Sequence, residues 1–136
     1  MSKPSVGTYT IYSRVLSPSG DKLYMTWNQS DNTVNLEAPT GADNQKWSIK
    51  DYNSNTQTIS PSTASDGQID YGNGGLSVRP SNDYTFTFRS SSTGYIIADG
   101  SGNTNFWKVA DAVVYIRATY GTPSDDLRQR WILEKQ

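Results

Sequence analysis

The chain has 136 residues, with 12 Lys and Arg against 13 Asp and Glu, 34% hydrophobic residues, and neither cysteine nor histidine. That length points to one domain, residues 1–136, large enough to bury an ordinary core without disulfide or metal support. The missing residue types exclude thiol nucleophiles, disulfides, Cys/His zinc sites and any triad with an imidazole base, and the balanced charge offers no basic field for nucleic acid.

In chain order, short runs of alternating apolar and polar residues predict strands over Thr8–Arg14, Lys22–Trp27, Thr33–Ala38, Gln45–Asp51, Thr56–Ser60 and Gln68–Tyr71. Six more follow over Gly75–Arg79, Tyr84–Ser90, Gly94–Ala98, Asn105–Val109, Val113–Ala118 and Arg130–Glu134. No window carries helical apolar spacing without a Gly, Pro or Asn interruption, so no helix is expected. Ser, Thr, Asn and Gly make up roughly 40% of the chain and compete for local backbone hydrogen bonds, which favours strands and turns. The start, Met1-Ser2-Lys3-Pro4, leads into polar sequence, and no run of about 18 apolar residues occurs. The expectation is therefore a cytoplasmic protein with no signal peptide and no membrane insertion, consistent with the lack of disulfides.

Three segments repeat one pattern: Val34-Asn35-Leu36-Glu37-Ala38-Pro39, Leu76-Ser77-Val78-Arg79-Pro80 and Val114-Tyr115-Ile116-Arg117-Ala118. Each is followed by an aromatic strand containing Trp47, Phe86 or Trp131. Taking Leu36, Val78 and Ile116 as equivalent gives a period of about 40 residues, four strands to a unit. The expected fold is all-β: a β-trefoil of twelve strands in three pseudo-equivalent four-strand repeats, spanning approximately residues 7–45, 46–83 and 84–136.

Asp43-Asn44-Gln45-Lys46-Trp47 and Gln129-Arg130-Trp131 carry Gln-x-Trp motifs and resemble those of ricin-B-type β-trefoil lectins. Gly7-Thr8-Tyr9-Thr10-Ile11 is similar to the first strand of small β-trefoil proteins from mushroom fruiting bodies, while the middle repeat departs, with Tyr84-Thr85-Phe86 in the motif's place. The motif itself is structural: Trp47, Phe86 and Trp131 should fill the barrel floor, and the Gln amides should satisfy loop backbone. Tyr9, Ile11, Leu23, Met25, Leu36, Ile49, Val78, Phe88, Ile97, Ile116 and Leu133 should complete the core by alternation.

The resemblance implies a fungal defence or storage lectin binding galactose- or N-acetylgalactosamine-type glycans through up to three weak sites. Aromatics near hairpin tips, Trp27, Tyr71 and Trp107, are candidate platforms for the C–H face of a sugar. Asn28, Asp31, Asp70, Asn73 and Asp111 are candidate partners for hydroxyls, with Arg79 and Arg117 donating from outer strand positions. Asn44 precedes the motif Gln as in the lectins, and Asp99 stands near their usual Asp position. The competing reading is that the aromatics cap the barrel and the Asp and Asn residues serve turns. Neither a catalytic residue nor a metal or cofactor is expected, because Cys and His are absent, no pair of carboxylates is set to face one cleft and no Gly-rich phosphate loop precedes a helix. The alternative function is protease inhibition, as in related mushroom β-trefoils, with Arg14 or Asn28 on an exposed loop entering the specificity pocket. Tyr115 and Tyr120 leave both a monomer and a homodimer open.

Overall fold

The computed structural model describes residues 3–72, 75–100, 105–110 and 115–136. Among them are twelve strands: β1 Gly7–Ser13, β2 Tyr24–Asn28, β3 Thr33–Glu37, β4 Trp47–Asp51, β5 Gln57–Pro61 and β6 Gly67–Gly72, then β7 Gly75–Pro80, β8 Phe86–Ser91, β9 Gly94–Asp99, β10 Asn105–Val109, β11 Ile116–Tyr120 and β12 Trp131–Lys135. Each overlaps a predicted strand, because alternation of buried and exposed side chains is the signal a half-buried strand must carry. Val113 and Val114 of the eleventh predicted strand lie outside the described residues.

Six strands close a ring in the order β1, β4, β5, β8, β9, β12 and back to β1, every neighbour antiparallel. The other six form the hairpins β2–β3, β6–β7 and β10–β11. A six-stranded barrel with three hairpins is the β-trefoil. The hairpins meet in a cyclic pattern: Thr33 pairs with Ser77 and Val34 with Leu76, while Asn35 pairs with Tyr115. This sequence of contacts makes Val34, Leu76 and Ile116 equivalent around the pseudo-threefold axis, with Thr33, Gly75 and Tyr115 on one side and Asn35, Ser77 and Arg117 on the other.

That register corrects the repeat alignment by two residues in the third unit. Ile116 matches Val34 rather than Leu36, and the partner of Ile116 across its hairpin is Val109, as Trp27 is of Val34 and Tyr71 of Leu76. Trp107 is then equivalent to Met25 and Ile69. Its indole is wholly buried at the barrel floor, stacked edge to face on Phe86 at 5.2 Å and on Trp131 at 6.0 Å. The Trp47 indole N–H donates to the Met25 carbonyl at 3.1 Å and that of Trp131 to the Trp107 carbonyl at 3.2 Å, the same bond in two repeats.

The core contains the residues assigned to it by alternation, except that Leu133 is half-buried at its margin. Short 3₁₀ turns over Asp43–Gln45 and Leu127–Gln129 lead into β4 and β12 and aim the motif glutamines inward. Gln45 donates to Thr26 Oγ1 and the Ala38 carbonyl and accepts from the Thr40 N–H and hydroxyl, so its buried amide is fully used. Gln129 accepts from the Ser124 N–H at 2.7 Å. The middle repeat lacks the motif Gln, and Gln68 on β6 takes its place, its oxygen accepting from the N–H groups of Asn82 and Tyr84 at 3.2 and 3.1 Å. Among the described residues no helix is long and apolar enough to cross a membrane.

Candidate functional site

The β2–β3 turn, Asn28 to Asn32, divides two clefts on the hairpin face. Asn28 and Asp31 build that turn: Asn28 Oδ1 accepts from the Ser30 N–H and hydroxyl, and Asp31 Oδ1 accepts from the Thr33 N–H at 3.0 Å and hydroxyl at 2.7 Å. Asn32 completes it with φ of 61°, a left-handed conformation that Asn tolerates better than most residues. Its carbonyl accepts from the Val78 N–H at 2.8 Å, which ties the turn to β7. Its side-chain oxygen accepts from the Trp27 indole N–H at 3.2 Å, which fixes the ring.

The first cleft, about 260 Å³, lies between this turn and β7. Trp27 forms one wall, half-buried against the core, and Asn32, Asp66, Arg79 and Pro80 surround it. Asp66 is placed by the turn into β6, where its carbonyl accepts from the Ser81 N–H and where Gly67 lets Val78 approach closely. Arg79 is steadied by Asp70 at 3.8 Å, an exposed pair that contributes orientation more than stability.

The second cleft, about 470 Å³, sits on the pseudo-threefold axis. Its floor is Val34, Leu76 and Ile116, and Asp31, Tyr115 and Arg117 stand at its rim. The Thr33 hydroxyl, and then its N–H, hold the Asp31 carboxyl below the usual carboxylate range, so it is a firm anion at neutral pH. Tyr115 is 51% exposed.

The sequence-derived candidates thus divide. Trp27 and Arg79, with Asp70 behind, belong to the first cleft, and Asp31 and Arg117 to the second. Asn28 serves the turn. Asn44 donates to the Trp27 carbonyl at 3.3 Å and supports that wall from beneath. Tyr71 is no platform: its hydroxyl donates to the Asn105 carbonyl at 2.8 Å, its ring meets Phe86 edge on, and burial pushes its phenol well above the ordinary range. Trp107, being in the core, is not at a hairpin tip. Asp99 accepts from Asn105 Nδ2 at 3.4 Å and lines neither cleft. Asn73 and Asp111 lie outside the described residues. Sequence reasoning missed Asn32 and Asp66, and weighed Tyr115 only for its bearing on monomer against homodimer, not as part of a cleft; an Asn at the end of a turn after an aromatic strand is the one local signal that pointed to the first of these.

A family model described as CCL2-like, CCL2 lectin-like, matches residues 7–131. No curated protein matches the chain. Among solved structures, the agglutinin of Rhizoctonia solani superposes with a TM-score of 0.72 at 17% identity, over 100% of this chain and 99% of its own. The C-terminal half of an earthworm R-type lectin, in complex with GalNAc, gives 0.65 at 15% identity, covering 96% and 99%. A mosquitocidal holotoxin gives 0.80 at 16% identity over 98% of this chain, which spans 18% of the toxin's length. At these identities the likeness is one of fold.

Proposed function

The chain belongs to the CCL2-like lectin family, and from that premise we propose that it binds galactose- and N-acetylgalactosamine-terminated glycans by seating a sugar ring against Trp27. The observation that carries the reading is the state of the four tryptophans: Trp47, Trp107 and Trp131 are fully buried, whereas Trp27 walls an open cleft. An indole face covers the C–H face of a pyranose, and the polar groups beside it supply direction: the Asp66 carboxylate accepts from hydroxyls, and Arg79 donates to them. The earthworm lectin's complex with GalNAc supports the choice of sugar. Such a shallow site has an affinity near 1 mM, about −4 kcal/mol.

One platform of this kind is proposed per chain. The positions equivalent to Trp27 hold Tyr71, pinned in the core margin, and Val109, 1% exposed. The test is calorimetric titration with lactose and N-acetylgalactosamine, run beside a glycan array, for the wild-type chain and Trp27→Ala. Millimolar binding that weakens tenfold or more in the variant, about 1.4 kcal/mol, is expected. A flat titration to tens of millimolar sinks the galactose assignment, and an array without any bound glycan sinks the lectin reading.

One observation favours a second reading, protease inhibition. Leu16, 50% exposed, stands on a loop anchored on both sides, by the Arg14 N–H on the Arg130 carbonyl and by the Ser17 N–H on the Asp21 carbonyl. An apolar residue held out on a rigid loop suits a protease with an apolar specificity pocket, and Leu16 replaces Arg14 and Asn28 as the residue to test. Failure of micromolar protein to inhibit chymotrypsin-like and subtilisin-like enzymes removes this reading.

A further inference from the structure

The axial cleft is a different kind of place from the Trp27 cleft. A site borne by one repeat can occur three times in a trefoil; a site on the pseudo-threefold axis can occur once. Its floor is a triangle of equivalent apolar residues, Val34, Leu76 and Ile116, each no more than 4% exposed. The rim above them is where equivalence has been abandoned. Thr33, Gly75 and Tyr115 occupy one set of related positions, and Asn35, Ser77 and Arg117 the other. The third repeat has therefore placed an aromatic ring and a guanidinium where the other two carry small neutral side chains or none.

Charge distribution at the rim narrows the ligand. Arg117 is exposed and, among the described residues, has no acidic group within ion-pair distance, unlike Arg79 with Asp70 or Arg130 with Asp125. Asp31 faces the same cleft with one carboxylate oxygen taken by Thr33 and, among the described residues, no bond to the other. A cation and an anion that share a cleft without pairing are satisfied together by a ligand with an anionic group on one side and hydroxyl donors on the other. A volume of about 470 Å³ accommodates a sugar ring with its substituents. Tyr115 and the apolar floor suit the C–H face or methyl group of such a ring.

We propose that the axial cleft is a single site for a terminal acidic sugar of the sialic-acid class, its carboxylate on Arg117 and its hydroxyls on Asp31. The ligand class rests on the lectin reading, but the site does not depend on Trp27. The two sites flank one turn, so a chain carrying both binds two unlike sugars from one face.

Calorimetry with lactose and sialyllactose on wild type, Trp27→Ala and Arg117→Gln separates the two proposals. The expected result is that Trp27→Ala binds sialyllactose one to one, at least tenfold more tightly than lactose, with a preference that shrinks as salt is raised. Arg117→Gln should lose that tenfold preference while its lactose titration stays at the wild-type value. Equal affinity of Trp27→Ala for the two sugars, or a preference that survives Arg117→Gln, overturns the axial site and leaves the Trp27 reading standing. Sialyllactose binding without lactose binding in the wild type supports the axial site and removes the galactose assignment. A chain that binds neither sugar overturns both.

Discussion

Gln68 is the test of whether the middle repeat has replaced its missing motif amide. The side chain is 9% exposed, and its oxygen accepts from two backbone N–H groups, those of Asn82 and Tyr84. Gln68→Leu keeps the volume and strands both donors. An unsatisfied buried donor costs about 1–3 kcal/mol, and since Asn82 is exposed enough for water to reach it, the Tyr84 N–H carries most of the loss, giving about 1–3 kcal/mol in all. For a domain of this size that lowers Tm by about 4–12 °C. Gln68→Glu retains an accepting oxygen and should lose less than half as much. Gln45→Leu, which breaks four bonds at a 2% exposed site, should cost more than either. Urea denaturation with unchanged m-values is the assay. A Gln68→Leu protein within about 0.5 kcal/mol of wild type would falsify the substitution of one amide for another.

Three further outcomes are expected. Acrylamide should quench one class of indole emission, and Trp27→Phe should remove it, because the other three tryptophans are fully buried; quenching that persists in the variant contradicts the core assignment of Trp107. Stability should be level from neutral pH up to about pH 10 and then fall by up to about 1.4 kcal/mol per pH unit for each raised phenol, since Tyr71 ionises in the unfolded chain before it does in the folded one. Tyr71→Phe should flatten that alkaline limb, and an unchanged limb shows that Tyr71 does not cause it. Gly94→Ala should cost more than about 2 kcal/mol by thermal melting, because φ is +140° and the added Cβ would lie 2.9 Å from the Trp131 carbonyl; a melt within 2 °C of wild type counts against the close packing of β9 on β12.

The fold was legible because a trefoil strand announces itself twice, by alternation and by recurrence at a fixed period. Trp47, Phe86 and Trp131 stood out on both counts. What alternation cannot resolve is a shift of two residues, since i and i+2 point to the same face. Alternation therefore puts Trp107 at a tip although it belongs one layer deeper, and only the pairing of Val109 with Ile116 shows it. Gln68 was not legible as a motif residue because it reaches its partners from another strand, 14 and 16 residues away. The site was half legible. Trp27, Asp31, Arg79 and Arg117 have the right chemistry for recognition, but which of them share a cleft depends on how hairpins distant in sequence meet. Asp66 and Tyr115 gain their meaning only from that meeting.

Ring closure by the first and last strands has a consequence for synthesis. β1 pairs with β12 over five residues, from Tyr9–Lys135 to Ser13–Trp131. As the chain leaves the ribosome, β1 can find β4 early, yet its opposite edge stays open until β12 has emerged. An unpaired strand edge is an invitation to the wrong partner. Every nascent copy on a polysome therefore carries an exposed edge until β12 is made, and slow decoding between β4 and β12 should raise aggregation more than an equal delay before β1.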